Sequence, residues 1–365
     1  MTALLLVLAL APAGFPDADH AGGRLRHVHG VPVVSVAGTP EQMGEQFGVL
    51  AVRNAPALDE LFDRFLRDAG ITSKTFALLA SNRLTGVPAD LQDELLAVAK
   101  AGNKSPEFVR FANGLYDLST GMGCSTVVVE PARSRTGGPL FGRNFDYLPT
   151  AGIQEHTLLA AFRPAGRRGF VTVTMTPIVG AISGMNDAGL ALTLNEIHLD
   201  QTRTAGRMNW DGVPTMLLFR RVLEECRTVG EAVALLRRSK RVTTACMTVC
   251  DRDGGAVLEI TPDAVEVRRP SGDVTLCTNH LRTDSLTRNE PCWRYDRLRV
   301  LQRHALRLDA ADVRAALHRV SQGRHTLQSM VFEPRERRLH LQLGDLKGSA
   351  TEAEVKTFDV AELLK

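Results

Sequence analysis

Apolar residues recur at helical spacing through much of the first third of the chain, after a short strand at Val33–Ala37. Most of these segments begin at a proline, whose missing N–H costs nothing at the first helical position. Thr39 stands before Pro40 as a helix cap. We therefore predict that residues 39–120 are mostly helical. The expected helices begin at Pro40 and then cover Pro56–Ala69, Thr75–Ser81, Pro88–Ala101 and Pro106–Leu115.

Beyond Gly123 the pattern changes to short apolar runs bounded by turn residues, which is typical of strands. The predicted strands are Ser125–Glu130, Leu140–Tyr147, Leu158–Phe162, Phe170–Thr176, Gly180–Met185, Leu190–Asn195, Thr244–Asp251, Ala256–Thr261, Ala264–Arg268, Val274–Thr278, Gln328–Glu333 and Leu339–Leu343. Further helices are predicted at Pro214–Glu225, Thr228–Lys240, Pro291–Leu308 and Ala310–Val320. This order predicts an α+β fold in which two packed sheets are covered by helices on both outer faces.

The composition is that of an ordinary globular protein. Of the 365 residues, 44 % are hydrophobic and 23 % are charged, and the formal net charge is +3. Such a chain can bury a large core in one or two domains. The arginines are spread out with few aromatic residues between them, which argues against a nucleic-acid surface. We therefore predict no nucleic-acid partner.

The chain begins with a short apolar run at Ala3–Ala11, followed by Ala11-Pro12-Ala13. Ala11-Pro12-Ala13 resembles an A-x-A processing site, so we interpret residues 1–22 as a signal peptide and leader. The leader is a Gly- and His-containing stretch that continues to about Gly30. This predicts export to the periplasm or the medium. Because the first residues carry no Lys or Arg, a mis-chosen start codon and a buried N-terminal segment stay open. No stretch is long and apolar enough to predict a membrane span.

The cysteines neither define a disulfide framework nor show the paired spacing of a zinc site. They are Cys124, Cys226, Cys246, Cys250, Cys277 and Cys292. If Cys124 is catalytic, at least one other thiol is unpaired within the chain. The histidines have no metal-ligand spacing either, so we predict neither a metal nor another cofactor.

Cys124 stands in Gly123-Cys124-Ser125-Thr126, at the start of a predicted strand, and a hairpin joins it to Gly142-Arg143-Asn144-Phe145-Asp146. A cysteine alone in an apolar strand is usually a small buried hydrophobe. With a guanidinium and a carboxylate on the next strand, it becomes a candidate nucleophile. Cutting the peptide bond before it would free an α-amine with an ordinary pKa of about 8, which suits a general base.

Arg143 and Asp146 have opposite parity in a regular strand and therefore face opposite sides of the sheet. Both can reach Cys124 only through a bulge or at the end of the strand. If all three residues belong to one site, the sequence therefore predicts either a bulge or a strand end in this hairpin.

Several motifs resemble those of the N-terminal-nucleophile amidohydrolases and follow the same order along the chain. The resemblance is to the branch of choloylglycine hydrolases, penicillin V acylases and isopenicillin N acyltransferases. Two of these motifs are the segments around Cys124 and Arg143. The others are Gly38–Gly44, Asn113–Asp117, Gly184–Asn195, Thr278-Asn279-His280, Trp293–Leu298 and Thr326–Phe332. The segment before Cys124 is similar to the long pro-segment of the acyltransferase branch. The resemblance runs from about residue 31 to 345.

The resemblance implies a four-layer αββα sandwich of two antiparallel sheets, with residues 23–123 as a helical pro-segment and 124–365 as the catalytic region. It also implies roles for six residues. Cys124 would be the nucleophile, and Arg143 would favour its thiolate. Asp146 would bind the freed α-ammonium, and Asn195 would donate to the oxyanion. Asn279 and Arg294 would complete the network, although an arginine on a helix is normally solvated.

The function implied is self-cleavage at Gly123–Cys124, after which Cys124 attacks a small-molecule N-acyl amide and passes its acyl group to water or an amine. The two fragments would stay associated, and a homo-oligomer stays open. One alternative keeps the fold without catalysis, as a binding protein. Another is a thiol peptidase, which requires a histidine beside Cys124.

Overall fold

The computed structural model describes residues 15–55, 57–68, 71–72, 76, 86–118, 121–148, 150–197, 208–288, 290–303, 306–345 and 347–365. Most of the predicted signal peptide and nearly all of the predicted helix Thr75–Ser81 lie outside these ranges. No helix among the described residues combines the length and the apolar character needed to cross a membrane.

The segment before Cys124 contributes strands as well as helices. The strands are β1 (Ala18–His20), β2 (Gly23–Val28) and β3 (Val31–Gly38). The helices are α1 (Pro40–Phe47), α2 (Leu58–Asp68), α3 (Ala89–Gly102) and α4 (Pro106–Leu118), with a π-helical turn at Gly48–Arg53. Thr39 caps α1 in a reciprocal capping box with Gln42, which confirms the predicted start of this helix.

The rest of the chain follows the predicted order of strands and helices. Its strands are β4 (Gly123–Val129), β5 (Leu140–Asp146), β6 (Thr157–Pro164), β7 (Phe170–Met175), β8 (Ser183–Asn186), β9 (Ala191–Glu196), β10 (Ala245–Cys250), β11 (Gly255–Ile260), β12 (Val265–Arg268), β13 (Val274–Cys277), β14 (Thr326–Glu333), β15 (Arg338–Leu343) and β16 (Lys356–Asp359). Its helices are α5 (Thr215–Glu225), α6 (Val229–Arg238), α7 (Trp293–Leu298), α8 (Val300–Arg303), α9 (Ala310–His318) and α10 (Val360–Leu363).

These strands form two sheets that pack face to face. The larger has the order β1-β2-β3-β6-β7-β8-β9-β10-β11-β12, and the smaller has the order β13-β4-β5-β14-β15-β16. Helices α5 and α6 pack on the larger sheet, and α7 and α9 pack on the smaller one. One apolar cluster between the sheets includes Val128, Phe141 and Val171. The predicted α+β sandwich with outer helices is confirmed.

The sequence analysis differs from the structure in three places. The stretch to Gly30, expected as a leader, forms β1 and β2 at the edge of the larger sheet, and β3 pairs in parallel with β6 in an otherwise antiparallel sandwich. In the described part of the predicted helix Pro291–Leu308, the helical residues are those of α7 and α8, and Leu308 instead pairs its backbone with Arg133 and Arg135. After the expected last hairpin, β16 and α10 continue the fold.

A buried ion-pair network joins the segment before Cys124 to the rest of the chain. Arg220 on α5 is fully buried and binds both oxygens of Glu94 on α3, at 2.6 and 2.8 Å. Its Nε donates to Glu224 at 2.8 Å, and its guanidinium stacks 4.6 Å from the Phe162 ring centroid. Burial alone would lower the pKa of Arg220, but the two carboxylates outweigh it and raise the pKa. The network therefore holds a charged arginine between the two parts of the chain.

Candidate active site

Cys124 is the second residue of β4, and its fully buried side chain faces the larger sheet. Its Sγ lies 3.2 Å from Nη2 of Arg143 and 3.6 Å from the carbonyl oxygen of Leu194. Arg143 is held by two acceptors on the larger sheet, the Ile182 carbonyl and Ser183 Oγ, each at 2.6 Å. A fixed guanidinium therefore lies against the sulfur.

The backbone of Cys124 is bound by the two residues predicted to complete the network. Its N–H donates to Oδ1 of Asn279 at 2.9 Å, and its carbonyl accepts a short hydrogen bond from Arg294 Nη1. Arg294 Nη2 donates to the same Asn279 oxygen at 2.7 Å. Arg294 is only 7 % exposed, so it is a buried site residue and not a solvated helix residue.

Asp146 is the last residue of β5, and the pairing of β5 with β14 shifts register there. Its carboxylate accepts from Thr326 Oγ1 at 2.6 Å and from Gln322 Nε2 at 2.7 Å, and it lies 3.6 Å from Arg294 Nη1. Arg143 and Asp146 therefore lie on opposite faces of the smaller sheet, as their spacing in β5 predicts. Arg143 contacts the Cys124 sulfur on one face, and Asp146 contacts Arg294, which binds the Cys124 backbone, on the other. Of the two expected routes, a bulge and a strand end, β5 shows the strand end: it pairs regularly with β4 as far as Asp146, and the register shift lies in β14 between Thr326 and Gln328.

Asn195 lies one residue after Leu194, whose carbonyl contacts the sulfur. Its Nδ2 donates to the Thr278 carbonyl at 3.3 Å, and its Oδ1 accepts from Thr193 Oγ1 at 3.4 Å. Both bonds are long, and the side chain is fully buried. The Asn195 amide is therefore close to the site, bonded to the peptide that precedes Asn279. Its predicted role as an oxyanion donor stays a prediction.

The surroundings of Cys124 favour its neutral thiol over its thiolate. Burial raises the pKa of the Cys124 thiol, and the neighbouring Arg143 and Arg294 only partly oppose this. Within the described residues, the hydrogen-bond partners of Sγ are Arg143 and Leu194, and neither can take its proton. A base for this thiol is therefore not found among the side chains that the structure describes around it.

Several residues of the site were missed by the sequence analysis. Gln322 and Thr326 bind Asp146, and Ser183 binds Arg143. Glu196, next to Asn195, binds the backbone just before the predicted cleavage site. Thr326 lies in a hairpin motif that the resemblance already included. The other three carry no local pattern, because their partners are more than 35 positions away in the sequence.

An apolar cavity adjoins the site. Among the described residues it is lined on the side of the segment before Cys124 by Leu58, Leu61, Phe62, Phe65, Phe108, Phe111, Ala112, Leu115 and Met122. From the other side it is lined by Phe145, Tyr147, Ile153, Met175, Thr176, Pro177, Ile178, Ile182 and Met216. Phe145 pairs directly with Cys124 across β4 and β5. The cavity thus lies between the two parts of the chain, beside the candidate nucleophile.

Within the described part of the chain, no group of three or more His, Cys, Asp or Glu side chains lies close enough to hold a metal ion. The six cysteines are buried and unpaired with one another. The arrangement around Cys124 consists of a thiol, two guanidinium groups, a carboxylate and carboxamides.

Comparison with known families gives one match over most of the chain. The model of the family described as acyl-coenzyme A:6-aminopenicillanic acid acyl-transferase matches residues 133–347. The matched range begins after Cys124 and contains Arg143, Asp146, Asn195, Asn279 and Arg294.

An uncharacterized protein of Archaeoglobus fulgidus is 24 % identical over 308 residues, which cover 73 % of this chain and 51 % of that protein. The chain thus spans about half the length of this curated relative.

Two hydrolases are among the solved structures that match this chain. A variant of the conjugated bile acid hydrolase of Clostridium perfringens has a TM-score of 0.50 at 13 % identity, covering 66 % of this chain and 94 % of that chain. The Caenorhabditis elegans ortholog of N-acylethanolamine-hydrolyzing acid amidase has a TM-score of 0.47 at 19 % identity, covering 58 % and 93 % of the two chains. The first likeness supports the N-terminal-nucleophile fold predicted from the sequence.

Proposed function

We propose, since the chain belongs to the acyl-coenzyme A:6-aminopenicillanic acid acyl-transferase family, that it is a self-processing enzyme which uses Cys124 to cleave N-acyl amides. The observation that carries this proposal is the surroundings of Cys124. A guanidinium lies 3.2 Å from its sulfur, and Asn279 and Arg294 bind its backbone. Its sulfur nevertheless lacks a base among the described residues. Cleavage of the Gly123–Cys124 bond would supply that base as the α-amine of Cys124.

In the self-cleavage step, Cys124 Sγ adds to the Gly123 carbonyl carbon, and the thiol proton passes to the departing Cys124 nitrogen. Water then hydrolyses the thioester, which leaves a Gly123 carboxylate and a free α-amine on Cys124. The products would be a pro-segment ending at Gly123 and a catalytic chain from Cys124 to Lys365. Asp146 lies next to Arg294 at the Cys124 backbone, which supports its role as partner of the new α-ammonium.

In the turnover step, the α-amine takes the thiol proton, and the thiolate adds to the amide carbonyl of the substrate. The resulting oxyanion would be stabilised by Asn195 and neighbouring donors. The α-ammonium protonates the departing amine, which leaves an acyl-enzyme. Water or a second amine then takes the acyl group. With water as the acyl acceptor the protein is a hydrolase, and with an amine as the acceptor it is a transferase. The proposal covers both reactions.

The apolar lining of the cavity beside Cys124 supports an apolar acyl group in the substrate. We expect kcat/KM for N-acyl amides to rise by about fourfold for each added methylene, since each buried CH2 contributes about 0.8 kcal/mol, until the cavity is filled. A series of N-acyl amides with increasing acyl length tests this, with Cys124→Ala as the inactive control. Absence of turnover on every member of the series by the wild-type enzyme would overturn the proposed activity.

The two fragments are proposed to stay associated, because Arg220 on the catalytic side is buried against Glu94 on the pro-segment side. Glu94→Gln keeps the size of the side chain but leaves Arg220 with one carboxylate fewer. We expect it to lower the free energy of unfolding by about 3 kcal/mol, as for a buried pair that loses one partner. Thermal or denaturant unfolding of the purified protein measures this loss.

The matched control is Asp93→Asn, which removes the same charge from an exposed position on the same helix. It is expected to change stability by less than about 0.5 kcal/mol. Equal effects of the two substitutions would show that the Arg220 network does not hold the fragments together.

The thiol-peptidase alternative needs a histidine beside the nucleophile. His280 instead hydrogen-bonds Cys292: burial alone would raise the pKa of Cys292, but bonds to His280 and Thr278 lower it to about 6. Cys292 is the residue just before α7 and is a different cysteine from Cys124. The non-catalytic binding protein would show neither cleavage nor turnover.

Export and a small-molecule substrate remain part of our proposal.

A further inference from the structure

A buried carboxylate outside the predicted set lies beside the proposed cleavage site. Glu196 ends β9 and is only 3 % exposed. Its two oxygens accept from the N–H of Gly121 at 3.0 and 3.1 Å, and Oε2 also accepts from the N–H of Met122 at 2.8 Å. No Arg, Lys or His among the described residues pairs with this carboxylate in an ion pair. The backbone of the pro-segment is therefore its partner.

The same short segment is fixed on its other side by Asn279. Asn279 Nδ2 donates to the Met122 carbonyl at 3.1 Å and to the Glu196 carbonyl at 2.8 Å, while its Oδ1 accepts from Cys124 N–H. The side chain of Met122 lines the apolar cavity. The residues on both sides of Gly123 are thus bound, one side by Glu196 and Asn279 and the other by Asn279 and Arg294.

Gly123 itself has no room for a side chain. A Cβ at this position would lie 2.4 Å from Gln322 Nε2 and 3.0 Å from Asp146 Cβ. The peptide before Cys124 therefore passes between bound residues against the side chains of the site. Fixing a scissile bond in this way contributes strongly to rate, because a displacement of about 1 Å can cost about 100-fold.

We propose that Glu196 is a positioning residue for self-cleavage: by binding the N–H groups of Gly121 and Met122, it holds the Gly123–Cys124 bond beside the thiol. This inference rests on the proposed function. A carboxylate suits the task because hydrogen bonds to an ionised acceptor are about twice as strong as neutral ones. Its two oxygens also match two successive N–H groups.

The test compares Glu196→Ala and Glu196→Gln in the full chain, with the precursor followed over time on denaturing gels during cell-free synthesis. Glu196→Ala removes both acceptors and is expected to slow cleavage by about 100-fold. Glu196→Gln retains one carbonyl oxygen for the Met122 N–H and is expected to lie between Ala and wild type. A purely structural role would not produce this graded rescue in variants with equal melting temperatures.

The matched control is Glu259→Gln, a fully buried carboxylate on β11 that binds Arg268. It is expected to leave the cleavage rate near that of the wild type. If the wild type stays uncut, the proposed self-processing fails. If the wild type is cut and Glu196→Ala is cut equally fast, or if Glu259→Gln slows cleavage as much as Glu196→Gln, the role of Glu196 is overturned while the proposed function stands.

Discussion

Cys124→Ala is expected to yield a single uncut chain without turnover. The substitution removes the only group in the site that we assign as nucleophile, and loss of a nucleophile typically costs about 10⁶-fold in kcat. The same sulfur is proposed to cut Gly123–Cys124, so processing and turnover should fail together. Cys124→Ser is expected to cut slowly and to lose most turnover, since an alcohol is a poorer nucleophile than a thiolate.

Denaturing gels and an N-acyl amide assay measure both effects of the Cys124 substitutions. Cys226→Ala is the matched control, because Cys226 is also buried but lies at the end of α5, in contact with Asn186 and not with the site. It is expected to be cut and active. A Cys124→Ala chain that is cut and turns over substrate would remove Cys124 from the mechanism.

Asn195→Ala is expected to fold and to lower kcat by about 10²–10³, the usual range for removing one oxyanion donor. The Asn195 amide is buried near Cys124, and its present bond to the Thr278 carbonyl is a long one, at 3.3 Å. A donor held this loosely can turn to a developing oxyanion. The effect should appear in kcat more than in KM, because the oxyanion exists only along the reaction path.

The control for Asn195→Ala is Asn144→Ala. Asn144 is equally buried on β5, but its amide donates to the Leu317 carbonyl on α9 and accepts from Ser329 Oγ on β14. This change should lower the melting temperature without a comparable loss of kcat. If Asn195→Ala leaves kcat unchanged, Asn195 only bonds the neighbouring strand and another group must stabilise the oxyanion.

The order of strands and helices was predictable because it depends on local signals. Thr39 and Pro40 start α1 as expected, and the apolar runs on either side of Thr136-Gly137-Gly138 form β4 and β5. By contrast, β2, which pairs with the edge strand β1 and with β3, was missed, because Arg24 and His27 are exposed and Leu25 is its buried apolar side chain. A strand with a single buried apolar side chain gives little periodicity to detect.

The candidate site could be predicted for those residues that lie within recognisable sequence motifs. Five of the six, Cys124, Arg143, Asp146, Asn279 and Arg294, lie in one connected set of contacts. Glu196 was not predictable, because an acidic residue after a buried strand is usually exposed, and its partners at 121 and 122 become neighbours only in the fold. The burial of Arg294 likewise depends on tertiary packing.

The most direct test of the account is the intact mass and N-terminal sequence of the purified wild-type protein. The account predicts a large fragment that begins at Cys124 and has the mass of residues 124 to 365, together with a pro-segment that ends at Gly123. A full-length chain that turns over N-acyl amides without any cut before Cys124 would contradict it, because the α-amine could not then be the base.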